Sequence, residues 1–228
     1  MAFANNGKFP ERIEKPLRIK AEDFIELLKR RRSIKHFKDI KIPKEILKSV
    51  ADVSQYAPTT NKKIEVIIID DEKLIKQIDE DAMKFIRRIY ISFFKNKYLL
   101  GFMSIFSETL PVIKRKMELD LLNRGHIVKD NTQALILVIG STRIPVTENS
   151  AQYYLSNMLL YSELIGLGSC LMDSLKIAIN RSKSVKDSLN IPKGYKILGV
   201  LAVGYPDERI LNIPQGYEMK IGWNTRSE

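Results

Sequence analysis

Arg31-Arg32-Ser33-Ile34-Lys35 places two guanidinium groups, a hydroxyl and an ammonium on a single short stretch. A phosphate dianion calls for this combination. Guanidinium forks match its oxygens in pairs, a hydroxyl donates a further bond, and the cations neutralise its charge. Ala57-Pro58-Thr59-Thr60-Asn61 is a turn of small residues that offers hydroxyls and an amide at close spacing, just ahead of an apolar run. Such groups suit hydrogen bonds to a polyol chain or to the polar edge of a ring. Further on stand Gly166-Leu167-Gly168-Ser169-Cys170 and Gly204-Tyr205-Pro206. Together the four segments outline a site for a phosphorylated, planar cofactor. Each alone has a plainer reading, because basic quartets are common on solvated surfaces and turn residues need no ligand.

Periodicity predicts the elements that carry these segments. Phe24, Ile25, Leu27 and Leu28 describe an amphipathic helix over 21–32, with Glu22, Asp23 and Glu26 early and Lys29 to Arg32 late, the order a helix dipole favours. A second helix starts near Pro43, carries a stripe of Ile46, Leu47, Val50 and Ala51, and stops before Pro58. Val66 to Asp70 reads as a buried strand and Glu72 to Arg88 as a helix. A second buried strand covers Gln133 to Gly140, followed by a helix from Glu148 to Gly166 that is apolar on most sides. A short strand around Ser169 to Met172, a polar helix around Ser182 to Leu189 and a strand from Ile197 to Gly204 complete the pattern. The aromatic-rich stretch 89–106 reads as a buried helix, a dimer contact or a lid, and is the expected place for substrate selection. No repeat or low-complexity linker divides the chain. One α+β domain over 21–206 is expected, between an N-terminal arm (1–20) and a C-terminal arm (207–228).

The 228 residues, 44% of them hydrophobic, suffice for one well-buried core. The net charge of +11 suits anionic ligands. It is also compatible with nucleic acid or an acidic membrane face, yet no recognition motif, aromatic–basic interleaving or amphipathic anchor accompanies it, so neither is expected as a partner. A single cysteine and two histidines exclude an intrachain disulfide and a structural zinc site. With no signal-peptide pattern at the start and no run of ~20 apolar residues, a reduced, cytoplasmic, soluble setting is expected. Cys170 reads as a buried strand cysteine and His126, beside Gly125, as an exposed loop residue.

In order and spacing, Arg31 to Phe37, Ala57 to Asn61, Gly166 to Cys170 and Leu198 to Pro206 resemble the flavin-dependent nitroreductase family over most of the chain, about residues 22–206. The resemblance implies a three-layer α+β sandwich with a mostly antiparallel central sheet flanked by helices. It also implies an intertwined homodimer with FMN at the subunit interface and the C-terminal arm wrapping the partner subunit. By position, Arg31, Arg32, Ser33 and Lys35 would hold the phosphate, ribityl and pyrimidine end. Pro58, Thr59 and Asn61 would reach the flavin, some of them from the partner. Met172, Asp173 and Ser174 would stand by its reactive edge, and Arg209 would close the phosphate end. NAD(P)H as donor and a nitroaromatic, quinone or related small electrophilic acceptor would take turns on one flavin face. The cofactor would carry the hydride, so no side chain is needed for acid–base work. This agrees with the lack of a Gly-x-Gly-x-x-Gly fingerprint.

The chain departs from that pattern in three places. Lys62-Lys63-Ile64 stands where the family often has Gln-Pro-Trp, and Asp207-Glu208-Arg209 where many relatives place basic residues. Ser174 stands where glycine is more usual, which restricts the backbone. A flavin-binding store or sensor without turnover fits the same residues as a second reading.

Overall fold

The uninterrupted apolar runs become neighbouring strands. The computed structural model describes residues 18–59, 63–94, 109–119, 121, 125–208, 212–213, 216 and 218–223. Strands β1 (Ile64–Ile69), β2 (Ala134–Ser141), β3 (Gly168–Leu171) and β4 (Tyr195–Gly204) form a sheet in the order β1-β2-β4-β3, with every pairing antiparallel. Around it lie α1 (Ala21–Arg30), α2 (Lys44–Asp52), α3 (Glu72–Ile89), α4 (Leu110–Leu119), α5 (Thr147–Leu164), α6 (Asp173–Arg181) and α7 (Lys183–Ser188). A 3₁₀ turn, Val53–Tyr56, continues α2.

Both faces of the sheet are covered, which is why β2 and β4 show no polar alternation. Leu135, Leu137 and Ile139 of β2 and Val200 and Ala202 of β4 pack with α3, α6 and α7. Ile136 and Val138 of β2 and Leu201 and Val203 of β4 pack with α2 and α5. The result is the three-layer sandwich with an antiparallel sheet that the resemblance implied. Among the described residues no helix is long and apolar enough to cross a membrane.

Register between β2 and β4 shifts once. Val138 faces Gly199 and Ile139 faces Ile197, so Leu198 is the extra residue of a bulge. On its other side β4 loses its neighbour, because β3 ends at Leu171, opposite Leu201. Asn180 of α6 takes the place of a strand there: its Nδ2 donates to the Ile197 carbonyl at 2.8 Å and its Oδ1 accepts from the Ile197 N–H at 2.8 Å. Ile197 is 1% exposed, so water cannot readily replace these bonds. Asn180→Ala is expected to lower the unfolding free energy by about 2–4 kcal/mol, the cost of two orphaned buried groups. The measurement is the urea midpoint at unchanged slope; an unmoved midpoint would show that water substitutes for the amide.

Three elements differ from the sequence expectation. The first helix stops at Arg30 instead of continuing to Arg32, because Arg31 turns extended at φ −54°, ψ 128°. Helices α4 and α6 carry no clear signal in the sequence. Helix α6 has no side-chain cap, and it forms because the preceding Met172 N–H is held by the Val200 carbonyl at 2.9 Å while Leu175, Ala178 and Ile179 bury against the sheet and α3. Of the aromatic stretch, Tyr90–Phe94 continues α3 as a π-helical turn. The Tyr90 hydroxyl donates to Glu118 of α4 at 2.9 Å, which holds the phenol above its ordinary range. The rest of that stretch, 95–106, lies outside the described residues.

Candidate functional site

Where α1 ends, the chain leaves the helix and zips onto one end of the sheet. Ser33 bridges Ser169 in parallel, and the Ile34 N–H donates to the Ser169 carbonyl at 3.0 Å. The Lys38 N–H donates to the Tyr205 carbonyl at 2.8 Å, and the Asp207 N–H to the His36 carbonyl at 3.0 Å. Three of the four sequence segments therefore meet at this end. Glycine makes the approach possible. A Cβ on Gly168 would lie 2.8 Å from Ile34, and one on Gly204 would lie 2.6 Å from the Phe37 ring.

The basic cluster divides by role. Arg31 is half-buried and Ser33 and Lys35 are exposed, and their side chains make no hydrogen bond or ion pair among the described residues. Arg32 is committed: its guanidinium donates to the Arg31 carbonyl at 2.7 Å and to the Asn212 carbonyl at 3.4 Å, tying the C-terminal segment to the cluster. Two cations and a hydroxyl are thus left open to an anion.

Sequence reasoning missed two groups here. Glu208 accepts on one oxygen from the backbone N–H of Lys35 at 2.6 Å and of His36 at 2.9 Å. The bond from Lys35, then that from His36, hold its carboxyl below the ordinary glutamate range against some burial. The clasp is therefore fully present above that range and is lost as pH falls through the lowered value. The chain's two histidines share Asp130: His36 Nδ1 lies 3.4 Å from one oxygen and His126 Nε2 3.1 Å from the other. His126 Nδ1 also meets the Val128 carbonyl at 2.8 Å, so His126 is a half-buried, engaged residue and not the exposed loop residue expected. Cys170 lies buried in β3 as anticipated.

At the start of α6, Met172 is buried, while Asp173 and Ser174 form the first turn. The first backbone N–H groups of a helix have no partner within it; here the first α-helical bond is from the Lys176 N–H to the Met172 carbonyl, at 2.9 Å. The Asp173 carboxylate pairs with Lys176 Nζ at 3.3 Å. Ser174 adopts ordinary helical backbone, and the left-handed non-glycine residues are Asn131 and Asn190, so this position makes no demand for glycine.

Pro58 and Thr59 stand elsewhere. Helix α2 begins near the cluster end, with Lys44 Nζ 3.9 Å from Asp70 just past β1. The chain returns to the sheet at its far end, where the Lys63 carbonyl accepts from the Ser141 N–H at 3.2 Å and Ile64 faces Gly140. Strand β4 connects the two ends with 10 residues, roughly 30 Å at ~3.3 Å per residue. Within one subunit the chain thus re-enters the sheet, four residues after Thr59, at the end opposite the Arg31–Lys35 cluster. Asn61 and Arg209 lie outside the described residues.

A cavity of about 520 Å³ borders none of the cluster side chains. Its rim mixes six carboxylates, among them Asp79 and Asp130, with Lys41, Lys76 and Lys129. Asp79 within it accepts from the N–H groups of Ile127 at 2.7 Å and Val128 at 2.8 Å, and burial nonetheless raises its carboxyl above the ordinary range.

The model of the nitroreductase family matches residues 28–205, a span that holds three of the four segments and all of the fourth but Pro206. This chain belongs to the nitroreductase family. Solved structures of the same fold include a nitroreductase with bound FMN from Bacteroides fragilis, 17% identical, covering 90% of this chain and 99% of that one at a TM-score of 0.64. Another, from Desulfitobacterium hafniense, also with bound FMN, is 14% identical and covers 85% of this chain and 93% of that one at a TM-score of 0.66. An iodotyrosine deiodinase bound to FMN and 3-iodo-L-tyrosine is 24% identical and covers 88% of this chain and 98% of that one at a TM-score of 0.62. No curated protein matches significantly. In this nitroreductase-family chain the matched span ends at Tyr205, so Glu208 and the Asn212 contact lie beyond it.

Proposed function

We propose that this member of the nitroreductase family is an FMN-dependent oxidoreductase acting as a homodimer. It would take hydride from NAD(P)H and pass it to a nitroaromatic, quinone or related small electrophilic acceptor. One observation carries the reading: the cluster stands at one end of one subunit's sheet, while the chain that follows Pro58 and Thr59 enters the sheet at the other. A second copy related by a two-fold axis would bring Pro58 and Thr59 of one subunit to Arg31, Ser33 and Lys35 of the other, and would do so twice. The surface supports such a contact. Helix α1 is amphipathic, yet Phe24, Ile25 and Leu28 on its apolar side are nearly half exposed, and Trp223 in the C-terminal arm is 87% exposed.

The residues present fit FMN. Arg31, Ser33 and Lys35 are cationic or hydroxylic, their side chains make no hydrogen bond or ion pair among the described residues, and they would hold the phosphate. The open N–H groups at the start of α6, with Asp173 and Ser174, would face electron-rich atoms of the ring edge, where the positive end of the helix favours negative charge. When bound, FMN supplies the hydride chemistry, and the protein orients it and tunes its charge. The FMN named in the structures from Bacteroides fragilis and Desulfitobacterium hafniense supports the same reading.

The test is the absorbance spectrum of purified protein with the chromophore released and identified, alongside light scattering. One FMN per subunit in a particle of twice 26.3 kDa is expected. Anaerobic NAD(P)H should bleach it, and a quinone should restore the colour. A colourless protein that takes up no added FMN would overturn the reading, and bound FMN that NAD(P)H leaves oxidised would make the protein a store or sensor.

A further inference from the structure

We propose that Glu208 is a positioning residue for the flavin phosphate, fixing the Lys35–His36 backbone so that Arg31, Ser33 and Lys35 converge on one anion. The inference rests on the FMN reading above.

Residues 33–38 are pinned at their ends by other backbone. The Ile34 N–H is held by the Ser169 carbonyl at 3.0 Å, the Phe37 N–H by the Asp130 carbonyl at 3.3 Å and the Lys38 N–H by the Tyr205 carbonyl at 2.8 Å. Between these anchors the N–H groups of Lys35 and His36 converge on a single oxygen of Glu208, at 2.6 and 2.9 Å. The Asp207 N–H returns a bond to the His36 carbonyl at 3.0 Å, and Phe37 bridges Pro206. Residues 206–208 thus clasp 35–37 from both sides.

Two consecutive backbone N–H groups facing one point form an anion receptor in their own right. With Glu208 in place that receptor is filled from inside the chain. An external phosphate is then left to the side chains of Arg31, Ser33 and Lys35, whose backbone is held still. Among the described residues, His36 and Lys35 are the charged or titratable groups that act on the carboxylate, with Asp207 next in the chain and Asp130 beyond His36. Holding the backbone before the ligand arrives spares the ordering cost at binding.

FMN and riboflavin differ only in the phosphate, so their affinity ratio isolates this role from general stability. The full-length protein, freed of flavin, is titrated with each. Glu208→Ala is expected to weaken FMN about tenfold, on the scale of a charge-assisted hydrogen bond, and riboflavin less than about twofold. Glu208→Gln keeps an oxygen that accepts both N–H groups and is expected to stay within about threefold of the parent. Amide exchange at Lys35 and His36 should speed up in the alanine variant and not in the glutamine one. If the alanine variant does not fold, Glu208→Asp, one methylene shorter, is expected to show the same loss of the FMN-to-riboflavin ratio. An unchanged ratio, equal losses for both flavins, or a glutamine variant as weak as the alanine one would overturn the proposal while leaving the FMN reading intact. A parent protein that binds neither flavin would overturn both.

Discussion

Arg31→Ala is expected to weaken FMN binding about a hundredfold, the loss of two charge-assisted hydrogen bonds from one guanidinium fork. The flavin-free protein should keep its unfolding midpoint, because the Arg31 side chain makes no hydrogen bond or ion pair among the described residues. Its backbone role, an N–H bond to the Leu27 carbonyl at 3.0 Å, survives the substitution. Arg31→Lys retains charge without the planar fork and should lose about tenfold. Quenching of flavin fluorescence on titration reads both. An Arg31→Ala variant that binds as tightly as the parent would assign the phosphate to other residues. Arg32 is less free to compensate, since two of its guanidinium donors are engaged by the Arg31 and Asn212 carbonyls.

The second large effect concerns the seat of the cluster. Phe37 is 1% exposed, and its ring lies where a Cβ on Gly204 would approach to 2.6 Å. Phe37→Ala is expected to cost about 3–5 kcal/mol. Gly204→Ala is expected to cost about 1–3 kcal/mol, because the new methyl must drive a packed ring off its rotamer. The double variant should lose less than the sum by about 1 kcal/mol or more, since the smaller side chain vacates the space the methyl needs. Urea unfolding of the four proteins closes the cycle. Additive losses would mean that Gly204 accepts a methyl without displacing Phe37. Both single variants should also bind FMN less well, because Phe37 continues directly from Lys35 and His36.

Much of the architecture was legible in the amino-acid order. The β-branched run before Asp70, the apolar run after Gln133 and the run before Tyr205 announced three strands; the last two are covered on both faces and need no polar alternation, while the first, expected to be fully buried, is an edge strand whose Val66, Ile67 and Ile68 are half-buried. The long apolar helix α5 and the capped helix α7, where the Ser182 hydroxyl accepts from the Val185 N–H at 3.3 Å, were equally plain. Helix α6 was not, since it lacks a side-chain cap and owes its place to a backbone bond from Met172 and to burial. The end of α1 was misjudged for a related reason. Lys29 to Arg32 read as a continuous helical end, but the pull of β3 and β4 on Ile34 and Lys38 draws the chain straight from Arg31 onward.

The site divides along the same line. Residue type and spacing within five or ten positions determined that Arg31 to Lys35 concentrates cations and a hydroxyl suited to an anion, and that the runs around it are strands and helices. These properties follow from local sterics, periodicity and charge. Which side chains remain free was decided only when distant parts met: Arg32 with Asn212, 180 positions on, and Lys35 with Glu208, 173 positions on. That the chain after Pro58 and Thr59 enters the sheet at the end away from the cluster was decided in the same way. It follows from the antiparallel register, which sets Ile64 opposite Gly140 and Gly168 opposite Gly204, and register is a property of the whole sheet. Every antiparallel neighbour must pair its backbone and bury both faces at once, a condition that no short stretch of sequence carries by itself.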